Sequence, residues 1–216
     1  MDIAILIFDG ITALDAVGPY DVLSNLPDTN VSFVGETKGI KRTSQGSLGL
    51  NADFSIGDIA RTDILLVPGG FGEEQVRAKP AMLEWVRSIH ANTRWTTSVC
   101  TGALILGAAG ILKGLNATTH WSAREQLRSF GATPVKERVV EQGKIITGAG
   151  VSAGIDLALC LARRLAGDEA AQAIQVGIEY DPQPPFDGVF EHAPQGVLTY
   201  LMKRYEHRLN PAAARR

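Results

Sequence analysis

Residues 94–110, RWTTSVCTGALILGAAG, decide the architecture. Trp95–Val99 is a short aromatic and β-branched run that favours a strand, whereas Gly102–Ala109 is small, aliphatic and free of proline, which favours a helix. The chain must therefore pass from strand to helix within Cys100 and Thr101. A reversal that abrupt predicts a sparsely populated backbone region at Cys100, the tip of a strand–turn–helix elbow. A thiol there faces the first-turn N–H groups of the helix and the positive end of its dipole, which favours thiolate over thiol. Cys100 is thus a candidate nucleophile. A lone cysteine in an apolar stretch is also a common packing residue, and on these residues alone both readings stand.

The flanking segments alternate strand and helix. Asp2–Phe8 (DIAILIF) is apolar without alternation, as in a parallel strand covered on both faces. After the turn at Asp9-Gly10, Leu14, Val17, Val22 and Leu23 make one helical face, and Pro19 demands a kink or a fresh helix start at Gly18. Val31–Gly35 is a second strand, and Lys38–Phe54 is a polar, glycine-dotted hairpin or edge excursion. Asp63–Val67 is a buried strand running into Pro68–Gly72, a glycine-rich turn whose free N–H groups suit an oxyanion hole. Pro80 opens a helix to Asn92 with a stripe of Leu83, Val86 and Ile89. Asn116–Thr119 reads as a strand ending at His120, Ser122–Phe130 as a helix, and Pro134–Thr147 as a hairpin about Gln142-Gly143.

Ser152 is expected to cap a helix that stops at Gly167, with Cys160 packed in its core face, and a further helix covers Asp168–Ile178. Tyr180–Phe186 is extended and stiffened by proline. Gln195–Leu209 is an amphipathic helix ahead of a frayed tail at 210–216. With 216 residues, 45% of them hydrophobic, and no interdomain linker, the expectation is one α/β domain over 1–216.

Composition excludes several function classes. The net charge is −2 and Lys and Arg are scattered, so neither nucleic acid nor an anionic membrane is an expected partner. No apolar run reaches the roughly 18 residues a bilayer span needs, and the N-terminus reads as a strand rather than a leader. Two cysteines without paired spacing point to a reducing cytoplasm. His and Cys occur singly, which gives no metal site, and Asp9-Gly10-Ile11-Thr12 lacks the dinucleotide and Walker patterns.

A nucleophilic Cys100 needs a proton partner. His90 and His207 fall on polar helix faces, and His192 lies in a loop without diagnostic context. His120 ends a strand expected beside the elbow strand, on the same carboxyl edge as Cys100; a structural histidine bonding the backbone is the other reading. Asp15 follows the first strand on that same edge, where ligands of open α/β sheets bind. Set between Leu14 and Ala16, its carboxyl should titrate high in dry surroundings, while the plain alternative is a charge favoured by a helix N-terminus.

The segments FDGITALDAVGPYDVL, VPGGFG, SVCTGALILGAAGIL, ATTHW, ITGAGVSAGIDLAL and YDPQPPF together resemble the PfpI superfamily, related to class I glutamine amidotransferases. The resemblance spans Ile3 to about Leu201, and within the superfamily the chain is most similar to isocyanide hydratases. The CTG elbow and the DxxGPYDVL start are shared with ligand-sensing domains of AraC-type regulators; YDPQPPF favours the hydratases. The resemblance implies a flavodoxin-like three-layer α/β sandwich with a mainly parallel sheet and a nucleophile elbow. It also implies a homodimer, with Pro19 and Tyr180–Phe186 near the interface, and no cofactor. The activity implied is hydration of a small-molecule isocyanide to an N-substituted formamide through a covalent thioimidate.

By the same resemblance Cys100 is the nucleophile, Asp15 the acid/base and Thr101 a contact to the thiolate, with Gly70, His120, Gly150 and Val151 as oxyanion or substrate contacts. Thr101 stands where protease- and chaperone-like members carry His, and Asp15 where deglycase-like members carry Glu, which turns the reading from protease, glyoxalase and deglycase chemistry. Three other readings stay open: a sensor domain like that of AraC-type regulators, a glyoxalase or deglycase of the same superfamily, and a thiol redox sensor. Against the first, only about 15 residues follow the resembling part, where a DNA-binding domain takes about 50 or more.

Overall fold

Strands that are apolar on both sides are stable only between two helical layers, and this requirement shapes the chain. In the computed structural model, which describes residues 1–209 and side chains through Tyr205, β1 (Asp2–Leu6) is buried from Ile3 onward, two residues shorter than the apolar run. It is followed by α1 (Ala13–Leu23), β2 (Asn30–Gly35), β3 (Gly39–Arg42), β4 (Gly49–Ala52), β5 (Phe54–Ser55) and β6 (Ile64–Val67). Then come α2 (Glu73–Arg77), α3 (Pro80–Asn92), β7 (Trp95–Val99), α4 (Gly102–Ala108) and β8 (Asn116–Ala117). A 3₁₀ segment at Trp121–Phe130 replaces the expected α-helix and precedes β9 (Thr133–Pro134), β10 (Val139–Gln142) and β11 (Ile145–Gly148). The last elements are α5 (Ala153–Gly177) and α6 (Gln195–Leu209).

The main sheet has the order β10-β11-β7-β6-β1-β2-β5. It is parallel from β11 to β5, and only β10 runs antiparallel, as the first arm of the hairpin at Gly143. Alternation along β7 separates the flanking layers. Thr96 meets His90 of α3 on one face, while Val99, three positions on, packs beside Gly154 of α5 on the other. Helices α1 and α5 pack together, and α2, α3, α4 and the 3₁₀ segment form the second group. This is the flavodoxin-like α/β arrangement.

The chain divides into two compact units, Met1–Glu179 and Tyr180–Arg216. In the second, Tyr180–Phe186 has neither helix nor strand and α6 takes the expected span; the tail at 210–216 and the side chain of His207 lie outside the described residues. Among the described residues no helix is long and apolar enough to cross a membrane.

Several expectations are corrected. One helix carries through Pro19, so no new helix begins at Gly18. Leu14 points outward, because α1 turns Asp15, Ala16, Pro19, Val22 and Leu23 inward instead. Asn116–Thr119 yields only two strand residues, and these pair with β9 in a separate two-stranded sheet rather than beside β7. Gly167 breaks α5 as expected, with φ 87°. Ser152 precedes α5 but makes no side-chain cap; it is turned to Arg138. Cys160 is exposed, not core, since the buried stripe of α5 runs through Leu157, Ala158, Leu161 and Ala162.

Candidate active site

The elbow is built largely by backbone. Cys100 has φ 57°, the left-handed region that a non-glycine residue occupies only when its surroundings enforce it. The enforcement is visible on both sides. The Cys100 N–H donates to Ala149 O at 2.8 Å and Gly148 O at 3.2 Å, pinning the elbow to the end of β11. A Cβ at Gly102 would sit 2.0 Å from Val67 O, and one at Gly69 would sit 2.4 Å from Thr101 N. The sequence Cys-Thr-Gly therefore lets α4 start directly against the end of β6. The Thr119 hydroxyl donates to Cys100 O at 2.7 Å and holds the elbow from the β8 side.

Asp15, in the first turn of α1, is wholly buried. Its Oδ2 accepts the Gly69 N–H at 2.9 Å, while Oδ1 is buried without a hydrogen-bond partner. Burial pushes the carboxyl up to about 7, against the opposing pull of the Gly69 N–H and of the Cys100 side chain. The expected high titration of Asp15 is what this environment produces. With Oδ2 engaged by an N–H, Oδ1 is the oxygen that can carry a proton.

The Cys100 thiol is 5% exposed. The helix dipole alone favours a thiolate, yet the thiol is pushed up, by burial first and then by the Asp15 carboxylate; the N–H groups of Val151 and Thr101 pull it down but are outweighed. The resting site is a thiol beside a carboxyl that titrates near neutrality, two groups whose titrations belong to the pair. Val151, at φ 23°, is itself strained, a rare position for a β-branched residue. That backbone aims one of the two N–H groups that act on the sulfur.

The Gly70 N–H, expected free for an oxyanion, is occupied: it donates to Thr101 Oγ1 at 3.0 Å. The adjacent Gly69 N–H is taken by Asp15, so the glycine turn binds the site's own side chains. His120 reaches the site by a route other than the one expected, through the loop after β8. Its Nδ1 lies 2.7 Å from Ser122 Oγ and accepts the Ser122 N–H at 3.4 Å, capping the 3₁₀ segment. Burial, then the nearby Arg124 charge, lower its pKa to about 4, so it is neutral at pH 7. A Cβ at Gly150 would lie 2.8 Å from His120 Cδ2, which places the imidazole against the turn leading to Val151.

Asp15, Thr101, Val151 and the glycine turn thus converge on Cys100, with His120 beside Gly150. Sequence reasoning missed Gly69 and Thr119. The first lay within the quoted VPGGFG and the second within ATTHW, but a backbone N–H and a β-branched hydroxyl carry no positional signal of their own.

A buried cysteine at φ 57° on the carboxyl edge of a parallel sheet, paired with a carboxyl from the first helix, defines a class. The chain belongs to the DJ-1/PfpI family, whose sequence profile matches residues 1–164. It is 44% identical over 205 residues to an isonitrile hydratase of Pseudomonas putida, covering 94% of this chain and 90% of that protein. It is 32% identical over 140 residues to the HTH-type transcriptional regulator CdhR of Pseudomonas aeruginosa, covering 63% of this chain but 40% of the regulator. Among solved structures, a THiJ/PfpI family protein from Pseudomonas syringae superposes with TM-score 0.91 at 36% identity, over 99% of this chain and 89% of that one. Drosophila melanogaster DJ-1beta, at 21% identity and TM-score 0.74 over 84% of this chain and 98% of that one, shares the fold.

Proposed function

We propose that the protein is an isocyanide hydratase, a cysteine-dependent hydro-lyase that converts R–N≡C and water to R–NH–CHO. The observation that carries this reading is the buried pair of Cys100 and an Asp15 carboxyl titrating near neutrality; the extent of likeness to an isonitrile hydratase supports it. An isocyanide needs a nucleophile and a proton at the same carbon. As the Cys100 sulfur bonds to that carbon, ionised Asp15 takes the thiol proton and returns it to the carbon, giving the thioimidate R–N=CH–S. Water then adds to this carbon, Asp15 taking one of its protons and passing that proton to the nitrogen. Collapse of R–NH–CH(OH)–S breaks the C–S bond, forms the formamide carbonyl and restores the thiol. The Val151 and Thr101 N–H groups stabilise the charge on sulfur as it attacks and departs. Neutral His120 borders the substrate rather than moving the proton.

Mixing the protein with a small aryl isocyanide and following formamide absorbance tests the reading. Turnover should be present in the wild type and lost in Cys100→Ala; turnover that survives in Cys100→Ala removes the covalent mechanism. A wild type that binds the isocyanide without turning it over would favour the second reading, a sensor domain, to which the likeness to the regulator points. Light scattering is expected to give a homodimer.

A further inference from the structure

Strand β3 carries an anomaly that the chemistry of Cys100 does not use. Its side chains alternate against hydrophobicity, with Ile40 60% exposed and the neighbouring Lys41 only 9% exposed. A strand turned this way buries a charge and exposes an apolar group, two unfavourable choices that local propensity does not explain. The sequence makes room for the lysine: its Cε lies 2.8 Å from where a Cβ at Gly35 would be. The Lys41 ammonium donates to Thr37 Oγ1 at 3.0 Å. That is one acceptor for three N–H donors, and among the described residues no carboxylate pairs with it within 4.0 Å.

Lys41 lines a cavity of about 190 Å³ bounded by the end of β1, the turn at Gly72, and α2. Phe8, Val76 and Met82, all buried, form its apolar wall. None of Asp15, Cys100, Thr101, His120, Gly150 or Val151 borders it. Of the other charged groups on the wall, Lys79 is ion-paired with Glu36, and Asp9 Oδ1 accepts the Arg42 N–H. Lys41 is thus the cation left without an anionic partner, while Asp9 and Glu36 disfavour a doubly charged guest.

We propose that this cavity binds a small organic monocarboxylate, its carboxylate on the Lys41 ammonium and its hydrocarbon part against Phe8, Val76 and Met82. A cavity of this size, with one buried cation and a short apolar wall, suits a short-chain acid such as butyrate. Gln75, exposed to solvent, belongs to the same wall.

Titrating butyrate into the ¹⁵N-labelled full-length protein and following the Gly72 and Val76 amide shifts tests the site. Saturable shifts are expected for the wild type and equally for Cys100→Ala. Lys41→Met should weaken binding by about ten- to a hundredfold, the weight of a charge-assisted contact. Gln75→Glu, which adds a like charge at an exposed position and leaves packing untouched, should weaken it as well and decides the matter if Lys41→Met does not fold. Neutral butyramide and inorganic phosphate should bind more weakly than butyrate. Binding that is indifferent to both variants overturns the proposal, as does phosphate or butyramide binding as tightly as butyrate, or shifts that vanish in Cys100→Ala.

Discussion

Replacing Asp15 by Asn should stabilise the protein, and by an amount that grows with pH. The carboxyl has an ordinary value of 3.8 and is pushed up to about 7 in the fold. The folded state therefore binds this proton more tightly than the unfolded chain does. The stability this gives is fully present below pH 3.8 and is lost as pH rises through about 7. The gap, at about 1.4 kcal/mol per pH unit, comes to roughly 4 kcal/mol of destabilisation when Asp15 ionises inside the protein. Asn keeps an oxygen for the Gly69 N–H and cannot ionise. Urea unfolding of both proteins between pH 4 and 8, read by fluorescence of Trp85, Trp95 and Trp121, gives the difference curve directly. The wild-type curve alone would mislead, because the lowered pKa values of His90 and His120 make stability rise with pH over the acid part of the range. In the difference these cancel, and Cys100 titrates above the range. The stability advantage of Asp15→Asn should climb from pH 4 to 7 and level off near 8; a difference that stays flat across that range would refute the assignment of a buried, proton-holding Asp15.

Asp15→Asn should also abolish isocyanide turnover while iodoacetamide still alkylates Cys100, and His120→Ala should reduce turnover less; an inactive His120→Ala beside an active Asp15→Asn would move the proton role to the histidine. Thr101→Val removes the acceptor of the Gly70 N–H and should cost about 1–3 kcal/mol in urea unfolding, with slower turnover, whereas Thr101→Ser should restore both. Gly150→Ala drives a methyl to within 2.8 Å of His120 Cδ2 and should lower turnover in the wild type but much less in a His120→Ala background. Equal losses in the two backgrounds would mean that the turn, not the imidazole, is what the methyl disturbs.

What the sequence disclosed was whatever rests on pattern along the chain. The continuous apolar run of β1, the proline start of α3, the strand-to-helix switch at Cys100 and the glycine stop at Gly167 all follow from local propensity and were legible. Asp15 and Cys100 were legible as a pair because both follow strands that end on one sheet edge. What escaped depends on which way an element rotates and on partners distant in sequence. The rotation of α1 buries Asp15 and exposes Leu14, a choice against hydrophobicity that only the site's chemistry explains. His120 was placed near the elbow for the wrong reason, since β8 never joins the main sheet. The thiol was expected low because a helix dipole can be read from sequence, whereas burial and a neighbouring carboxylate cannot, and here they prevail. The buried Lys41 is invisible in the same way: nothing in Gly39–Arg42 says which face turns inward.

The contact between the glycine turn and the elbow also governs how the protein can diversify. Val67 O stands 2.0 Å from the missing Cβ of Gly102, and Asp9 O 1.9 Å from that of Gly72. These neighbours are main-chain atoms, one at the end of β6 and one in the turn after β1, so no repacking of side chains can accommodate even alanine. In a saturation library, positions 72 and 102 should return a single letter, and mutational tolerance around the nucleophile should be concentrated at His120 and Val151. New substrate ranges would then arise by exchanging those two walls around an immovable floor, and lineages would differ in pocket shape while retaining the same loop crossing.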